Sequence, residues 1–113
     1  MVKYLANSLS INMFDFSKVI VKIEKINANE FCDEIRDSNN LINGIGHEST
    51  VNLVNSLCKT NYKVNRIMLK INRGDELYII NILERLQEGK ILNIEELENL
   101  MKNGKIGFYK ITL

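Results

Sequence analysis

The sequence contains no long apolar run, no marked excess of one charge, and few of the residues that build disulfide frameworks or metal sites. Among its 113 residues are two cysteines, one histidine and no proline. A membrane-spanning helix needs roughly 18 to 20 apolar residues in a row, and no stretch approaches that length. The first residues, MVKYLANSLS, lack a basic segment followed by an apolar run and a cleavage site. We therefore expect an intracellular protein with no membrane partner.

The charges are nearly balanced, which argues against a protein that coats nucleic acid. Fifteen Lys and Arg residues face 14 Asp and Glu residues, for a net charge of +1. Non-specific binding to a nucleic-acid backbone depends on many cationic contacts with phosphates. We therefore expect no binding to duplex DNA, and an anionic ligand must be held by local groups.

The two cysteines are far apart in the sequence and do not form a known metal or disulfide pattern. Neither Cys32 nor Cys58 belongs to a CxxC motif. We therefore predict that both are small apolar core residues. With 45% apolar positions, the length fits one domain covering residues 1–113.

Apolar and alternating runs predict strands, and helical spacing predicts helices between them. The predicted strands are 2–6, 19–26, 66–71, 76–82 and 105–113. The turn NRGD predicts that 66–71 and 76–82 form an antiparallel hairpin. The predicted helices are ANEFCDEIRD after Asn27 or Asn29, a helix starting at or just after His47, and IEELENLMKNG after Asn93. The order implies an α/β fold, a single domain with a mixed sheet of about five strands flanked by helices.

The stretch NGIGHEST contains the only histidine of the chain. Gly44 and Gly46 precede a helix N-terminus, which can seat a phosphate, although such a turn also occurs without a ligand. His47 is compatible with a capping or packing role and with a general acid beside a phosphate. A metal site is disfavoured because no second histidine follows at i+4. Ser49 and Thr50 fit ordinary hydroxyls at a helix start.

A second polar cluster, ERLQEGK, follows the strand predicted at 76–82. It is compatible with a solvated loop that leads to the last helix. In the functional alternative, Arg85 holds a phosphate and Glu88 orients or protonates His47, because a guanidinium matches phosphate oxygens. Arg66 is either a third anion contact or a surface residue.

In their order, YLANSLSIN, IGHEST, NRI and RLQEGKIL resemble the viral anti-CRISPR ring nucleases of type III immunity, over almost the whole chain. Members of that family are small dimeric proteins. They bind cyclic tetra-adenylate, the second messenger of type III CRISPR defence, and cut it to linear di-adenylate. The resemblance implies a virus-encoded protein in the host cytoplasm, a homodimer with the ligand at its two-fold interface, and no metal or cofactor.

The resemblance also implies roles for individual residues. His47 would be the general acid, Glu88 would assist it, and Arg85 would stabilise charge on the phosphoryl oxygens. Asn81 stands where relatives often have glutamine, which leaves its contact in question. The implied ligand-binding residues are Asn7, Ser10, Gly46, Arg66 and Asn81.

Two alternatives belong to other functional classes. A non-catalytic sponge for the same cyclic nucleotide would need Arg66, Arg85 and the glycine turn but not His47. A small viral DNA-binding or structural protein is disfavoured by the near-neutral charge. The last helix and the loop carrying Glu88 are the predicted candidates for a dimer interface.

Overall fold

Five strands and three helices make up the fold in the computed structural model, which describes all 113 residues. The strands are β1 Lys3–Ala6, β2 Lys22–Ile26, β3 Ile42–Asn43, β4 Glu76–Ile82 and β5 Ile106–Thr112. The helices are α1 Ala28–Arg36, α2 Glu48–Cys58 and α3 Ile94–Lys102. None of these helices combines the length and the apolar character that crossing a bilayer requires.

The strands form one mixed sheet in the order β2-β5-β4-β1-β3, which confirms the predicted α/β class. β1 runs parallel to both β3 and β4, whereas β5 runs antiparallel to β4 and to β2. Because parallel strands run in the same direction, the C-terminal ends of β1, β3 and β4 lie at the same end of the sheet. The segments that follow these strands therefore leave the sheet at that end. The candidate functional residues of these segments therefore share that end of the molecule.

The two faces of the sheet are covered in different ways. All three helices pack on one face, where Phe31 and Phe108 meet with ring centroids 5.0 Å apart. On the other face, Met13 and the chain segment around Leu69 and Ile71 pack against Leu77. Helices thus cover one side of the sheet, and extended or irregular chain covers the other.

Asparagine side chains cap the first and last helices as predicted. Asn27 Oδ1 accepts a hydrogen bond from the backbone N–H of Glu30 at 2.7 Å. Asn93 Oδ1 accepts one from Glu96 N at 2.8 Å, and Asn93 N donates one to Glu96 Oε1 at 3.2 Å. These caps satisfy N–H groups that have no partner within the helix.

The predicted hairpin of 66–71 and 76–82 is wrong. Both edges of β4 are already paired, one with β1 and the other with β5. The segment 66–71 instead crosses the sheet face, where Leu69 and Ile71 are buried and Ile71 N donates to Met13 O. Leu69 and Ile71 point inward on either side of exposed Lys70, as they would in a strand, which is why the pattern misled.

The cysteines are the apolar core residues that the sequence predicts, but the inference that they belong to no disulfide is wrong. Cys32 and Cys58 are buried as expected, but they form a disulfide. α1 and α2 pack together so that the two Cα atoms lie 5.0 Å apart, within the range that a disulfide requires. Their separation in sequence carried no information about this proximity.

Candidate functional site

A cavity of about 560 Å³ lies at the end of the sheet where β3 and β4 terminate. The chain from β3 to α2 brings His47 to it, and the chain from β4 to α3 brings Arg85 and Glu88. These are the three residues predicted to carry the chemistry. The full lining is His47, Ser49, Thr50, Ile82, Glu84, Arg85, Leu86, Gln87 and Glu88.

His47 is the N-cap residue of α2, but its side chain does not cap the helix. Its backbone is extended, with φ −116° and ψ 124°, and no side-chain hydrogen bond closes this helix end. The imidazole is exposed and has no ion pair or hydrogen bond within the chain. Both the capping and the packing alternatives are therefore wrong, and the first-turn N–H groups of α2 have no side-chain partner.

Arg66 is anchored on the glycine that precedes His47. Its Nε donates to Gly46 O at 2.9 Å, while its terminal nitrogens make no hydrogen bond within the chain. A Cβ on Gly46 would lie 2.8 Å from Arg66 Cγ, so the absent side chain makes room for the arginine stem. In the free chain, Gly46 thus faces Arg66, and its predicted approach to a phosphate remains a prediction.

The loop from Leu83 to Lys90, here called the β4–α3 loop, makes three polar attachments to the rest of the chain. Leu83 N donates to Lys105 O at 2.7 Å, and Lys90 Nζ lies 2.7 Å from Glu96 Oε2. Between them, Ser49 Oγ donates to the carbonyl of Gln87. The hydrogen bond from Lys90 holds the pKa of Glu96 below its usual range.

Charged groups of both signs border the cavity without neutralising one another. His47, Arg85 and Glu88 are exposed, and none of them takes part in a salt bridge within the chain. Such groups are free to pair with a ligand, and a guanidinium can bind two phosphoryl oxygens at once. The chain has no cluster of three His, Cys, Asp or Glu side chains that could hold a metal ion.

The other predicted ligand contacts do not line this cavity. Asn81 borders a separate cavity of about 310 Å³ on the face of the sheet that the three helices do not cover. Ser10 Oγ accepts a hydrogen bond from Asn12 N at 3.3 Å and so caps one turn of 3-10 helix at Ile11–Met13. Asn7 is half-buried just after β1. Within one chain, these three residues and His47 belong to different surfaces at one end of the sheet.

Ser49 and Gln87 belong to the site in a way that the sequence did not indicate. Ser49 is buried in the first turn of α2, and its hydroxyl contacts the loop rather than its own helix. Its position two residues after His47 was the only signal available. That spacing placed it near the histidine but could not identify the carbonyl it meets.

Comparisons with known proteins show that this chain is similar to a group of viral proteins. The model of the family described as STIV B116-like matches residues 3–110. ORF116 of Acidianus filamentous virus 1 is 40% identical over 109 residues, covering 96% of this chain and 93% of that protein. Protein 26 of Sulfolobus islandicus filamentous virus is 27% identical over 101 residues, covering 88% and 85%. The solved structure of B116 of Sulfolobus turreted icosahedral virus superposes with a TM-score of 0.93, at 40% identity and full coverage of both chains.

Proposed function

This chain belongs to the STIV B116-like family, and we propose that it is a metal-independent ring nuclease that cleaves cyclic tetra-adenylate to linear di-adenylate. By destroying this messenger it would act as an anti-CRISPR protein in the cytoplasm of a virus-infected host. The observation that carries the proposal is the single cavity bordered by His47, Arg85 and Glu88. These residues come from two loops that are distant in sequence.

The proposed reaction needs only a nucleophile that the substrate already contains. The 2′ oxygen of one ribose attacks the adjacent phosphorus, the O2′–P bond forms and the P–O5′ bond breaks. The 5′ oxygen takes a proton from protonated His47, and the proton of the 2′ hydroxyl passes to solvent. Each cut leaves a 2′,3′-cyclic phosphate and a 5′ hydroxyl, so the protein has to align three atoms and donate one proton.

The remaining charged groups would bind and polarise the phosphodiester. Arg85 would stabilise the negative charge that develops on the phosphoryl oxygens. Arg66, held on Gly46 O through Nε, presents its unoccupied terminal nitrogens next to His47. Glu88 would orient the imidazole and favour its protonated form.

A homodimer would bring the remaining predicted contacts to the same ligand. Around the 310 Å³ cavity beside Asn81, Leu9 and Ile23 are apolar side chains that are 42% and 57% exposed. Exposed apolar surface of this kind is typical of a subunit interface. A two-fold axis there would place two equivalent sites on opposite phosphodiesters of one ring, and Asn7, Ser10 and Asn81 would then lie near that axis.

Incubating the purified protein with cyclic tetra-adenylate in EDTA tests the proposal. We expect linear di-adenylate with a 2′,3′-cyclic phosphate end, resolved by chromatography and mass spectrometry. A ring that stays intact over many hours would contradict the enzymatic function. A ring that binds tightly and stays intact would identify the non-catalytic sponge instead.

A further inference from the structure

The β4–α3 loop carries Arg85 and Glu88, while His47 lies on a different element, and one side chain connects the two. Ser49 is 5% exposed, and its hydroxyl donates to the carbonyl of Gln87, the residue directly before Glu88. This is the only side-chain hydrogen bond between α2 and the loop. It fixes the middle of the loop to the first turn of the helix that begins after His47.

The carbonyl of Gln87 also accepts a hydrogen bond from within the loop. Lys90 N donates to it at 3.1 Å and closes a turn around Glu88 and Gly89. Gly89 has φ +75°, a conformation that favours glycine in such a turn. The serine hydroxyl and the loop turn thus meet at one oxygen, so the position of that oxygen determines where Glu88 lies.

The other polar attachments of the loop are too far from its centre to replace this one, although Leu86 also packs against the core. Leu83 is bound to Lys105 at the start of the loop, and Lys90 to Glu96 at its end. The Lys90 pair is an ion pair between side chains that are 41% and 38% exposed, and exposed pairs contribute little stability. Without Ser49, the stretch containing Arg85 and Glu88 would lose its only polar attachment to α2.

We propose that Ser49 is a positioning residue that holds Arg85 and Glu88 in register with His47 through the carbonyl of Gln87, an inference that rests on the proposed function. The serine itself donates no proton to the reaction. It acts by reducing the range of loop positions, and misplacement by about 1 Å costs on the order of a hundredfold in rate.

The variant Ser49→Ala removes the hydroxyl and retains a good helix former. The matched control is Ser56→Ala, which changes the same residue type on the same helix two turns later, where no hydrogen bond to the loop exists. Three quantities are measured on the full chain: amide hydrogen exchange at Lys90, the single-turnover cleavage rate, and the affinity for cyclic tetra-adenylate.

We expect Ser49→Ala to speed exchange at Lys90 and to slow cleavage by roughly tenfold to a hundredfold, with ring affinity changed by much less. Ser56→Ala should behave like the wild type in all three. Unchanged cleavage in Ser49→Ala, or an equal loss in Ser56→Ala, would overturn the positioning role. If the wild type itself cuts no ring, the proposed function fails, and unchanged exchange at Lys90 separately overturns the attachment of the loop.

Discussion

At the scale of the residue, the exposed imidazole of His47 is the group on which the proposed reaction depends most. It has no partner in the chain, so its removal breaks no internal contact. We expect His47→Ala to bind cyclic tetra-adenylate almost normally and to cut it roughly a hundredfold to ten-thousandfold more slowly, the usual contribution of a general acid. Calorimetry with intact ring and single-turnover kinetics in EDTA measure the two effects.

The control for this variant is Lys59→Ala, which removes a side chain at the opposite end of α2. It should leave both binding and cleavage unchanged. A wild-type cleavage rate in His47→Ala would contradict the general-acid role, even if the protein proves to be a ring nuclease.

A second residue-scale prediction concerns Gly46. A methyl group there would lie 2.8 Å from Arg66 Cγ, so Arg66 must move and its bond to Gly46 O is strained or lost. A displaced Arg66 would lose its proposed hydrogen bond to a phosphate of the ring. Because a hydrogen bond between charged groups is worth more than about 1 kcal/mol, we expect Gly46→Ala to weaken ring binding roughly tenfold. This change is measured by titrating Gly46→Ala with uncleaved ring, or by titrating the double variant His47→Ala, Gly46→Ala beside His47→Ala.

Gly44→Ala is the matched comparison two residues earlier. Its methyl group would lie 2.8 Å from the buried Leu69 side chain, in the core rather than at the site. It should lower the melting temperature more than Gly46→Ala does. Equal ring affinity in Gly46→Ala and the wild type would show that Arg66 is not a ligand contact.

The sequence allowed these residues to be singled out by type, but it did not reveal their contacts. The lone histidine after Gly-x-Gly, and the arginine near a glutamate, could be identified from their residue types. The order of the motifs along the chain then suggested that they belong to one site. The anchoring of Arg66 on Gly46, and of Ser49 on Gln87, depends on how three separate chain segments pack. No local pattern encodes such contacts, so they emerged only from the fold.

At the scale of the element, the disulfide between α1 and α2 is the main covalent constraint. It closes a loop with a sequence separation of 26 residues, for which the loop-entropy model gives about 3 to 4 kcal/mol of stabilisation. We therefore expect the double variant Cys32→Ala, Cys58→Ala to have a free energy of unfolding lower by about that amount, and a correspondingly lower urea midpoint. Equilibrium unfolding followed by circular dichroism measures it.

Reductant provides the internal control for the cysteine prediction. In the presence of a phosphine reductant, the urea midpoint of the wild type should fall to about that of the double variant. The midpoint of the double variant should not change. Identical unfolding curves for the wild type with and without reductant would mean that the bridge is absent or contributes nothing.

Helices were predicted more accurately than strands, for a physical reason. Asn27 and Asn93 cap their helices through contacts within a few residues, which a sequence can reveal. Strands depend on distant partners, so the segment 66–71 had the right alternation but no free strand to pair with. The two-residue β3 carries too short a pattern to be recognised, although it sets the start of the turn that leads to His47.

At the scale of the whole molecule, the sheet has a charged network at the end opposite the cavity. Lys3 Nζ and the Tyr78 hydroxyl each lie 3.0 Å from Glu34 Oε2, and Lys110 Nζ lies 3.1 Å from Glu76 Oε2. The hydrogen bond from Lys3 holds the pKa of Glu34 below its ordinary value of 4.5. The bond to Glu76 raises the pKa of Lys110 above 10.5.

These shifts predict that the network stabilises the fold only between the two extremes of pH. The contribution of Glu34 is present above pH 4.5 and is lost as pH falls through its lower folded pKa. The contribution of Lys110 is present below pH 10.5 and is lost as pH rises through its higher folded pKa. Urea midpoints across this range should therefore decline at both ends.

One substitution tests whether Glu34 causes the loss of stability at low pH. Glu34→Gln cannot lose a charge on acidification, so its urea midpoint should fall less steeply with decreasing pH than that of the wild type. Glu30→Gln, which changes an exposed carboxylate on the same helix, should leave the slope unaltered. A parallel decline in the wild type and Glu34→Gln would show that other carboxylates cause the acid sensitivity.

The last whole-molecule prediction concerns assembly, because one chain supplies only part of the proposed ligand contacts. His47 and Arg85 border one cavity, whereas Asn81 borders another that Ile23 flanks with an apolar, 57% exposed side chain. If two copies join at this second surface, a charge there should separate them. We expect Ile23→Asp to sediment as a monomer and to cut cyclic tetra-adenylate far more slowly, although its His47 is intact.

Ile94→Asp distinguishes this surface from the last helix, which the sequence named as a candidate interface together with the loop carrying Glu88. Ile94 is 71% exposed at the start of α3, so the substitution adds a charge to an apolar position that is even more accessible than Ile23. A dimer that persists in Ile94→Asp and dissociates in Ile23→Asp locates the two-fold axis beside Asn81. The reverse result would move the axis to α3, and an active Ile23→Asp monomer would mean that each chain cuts the ring unaided.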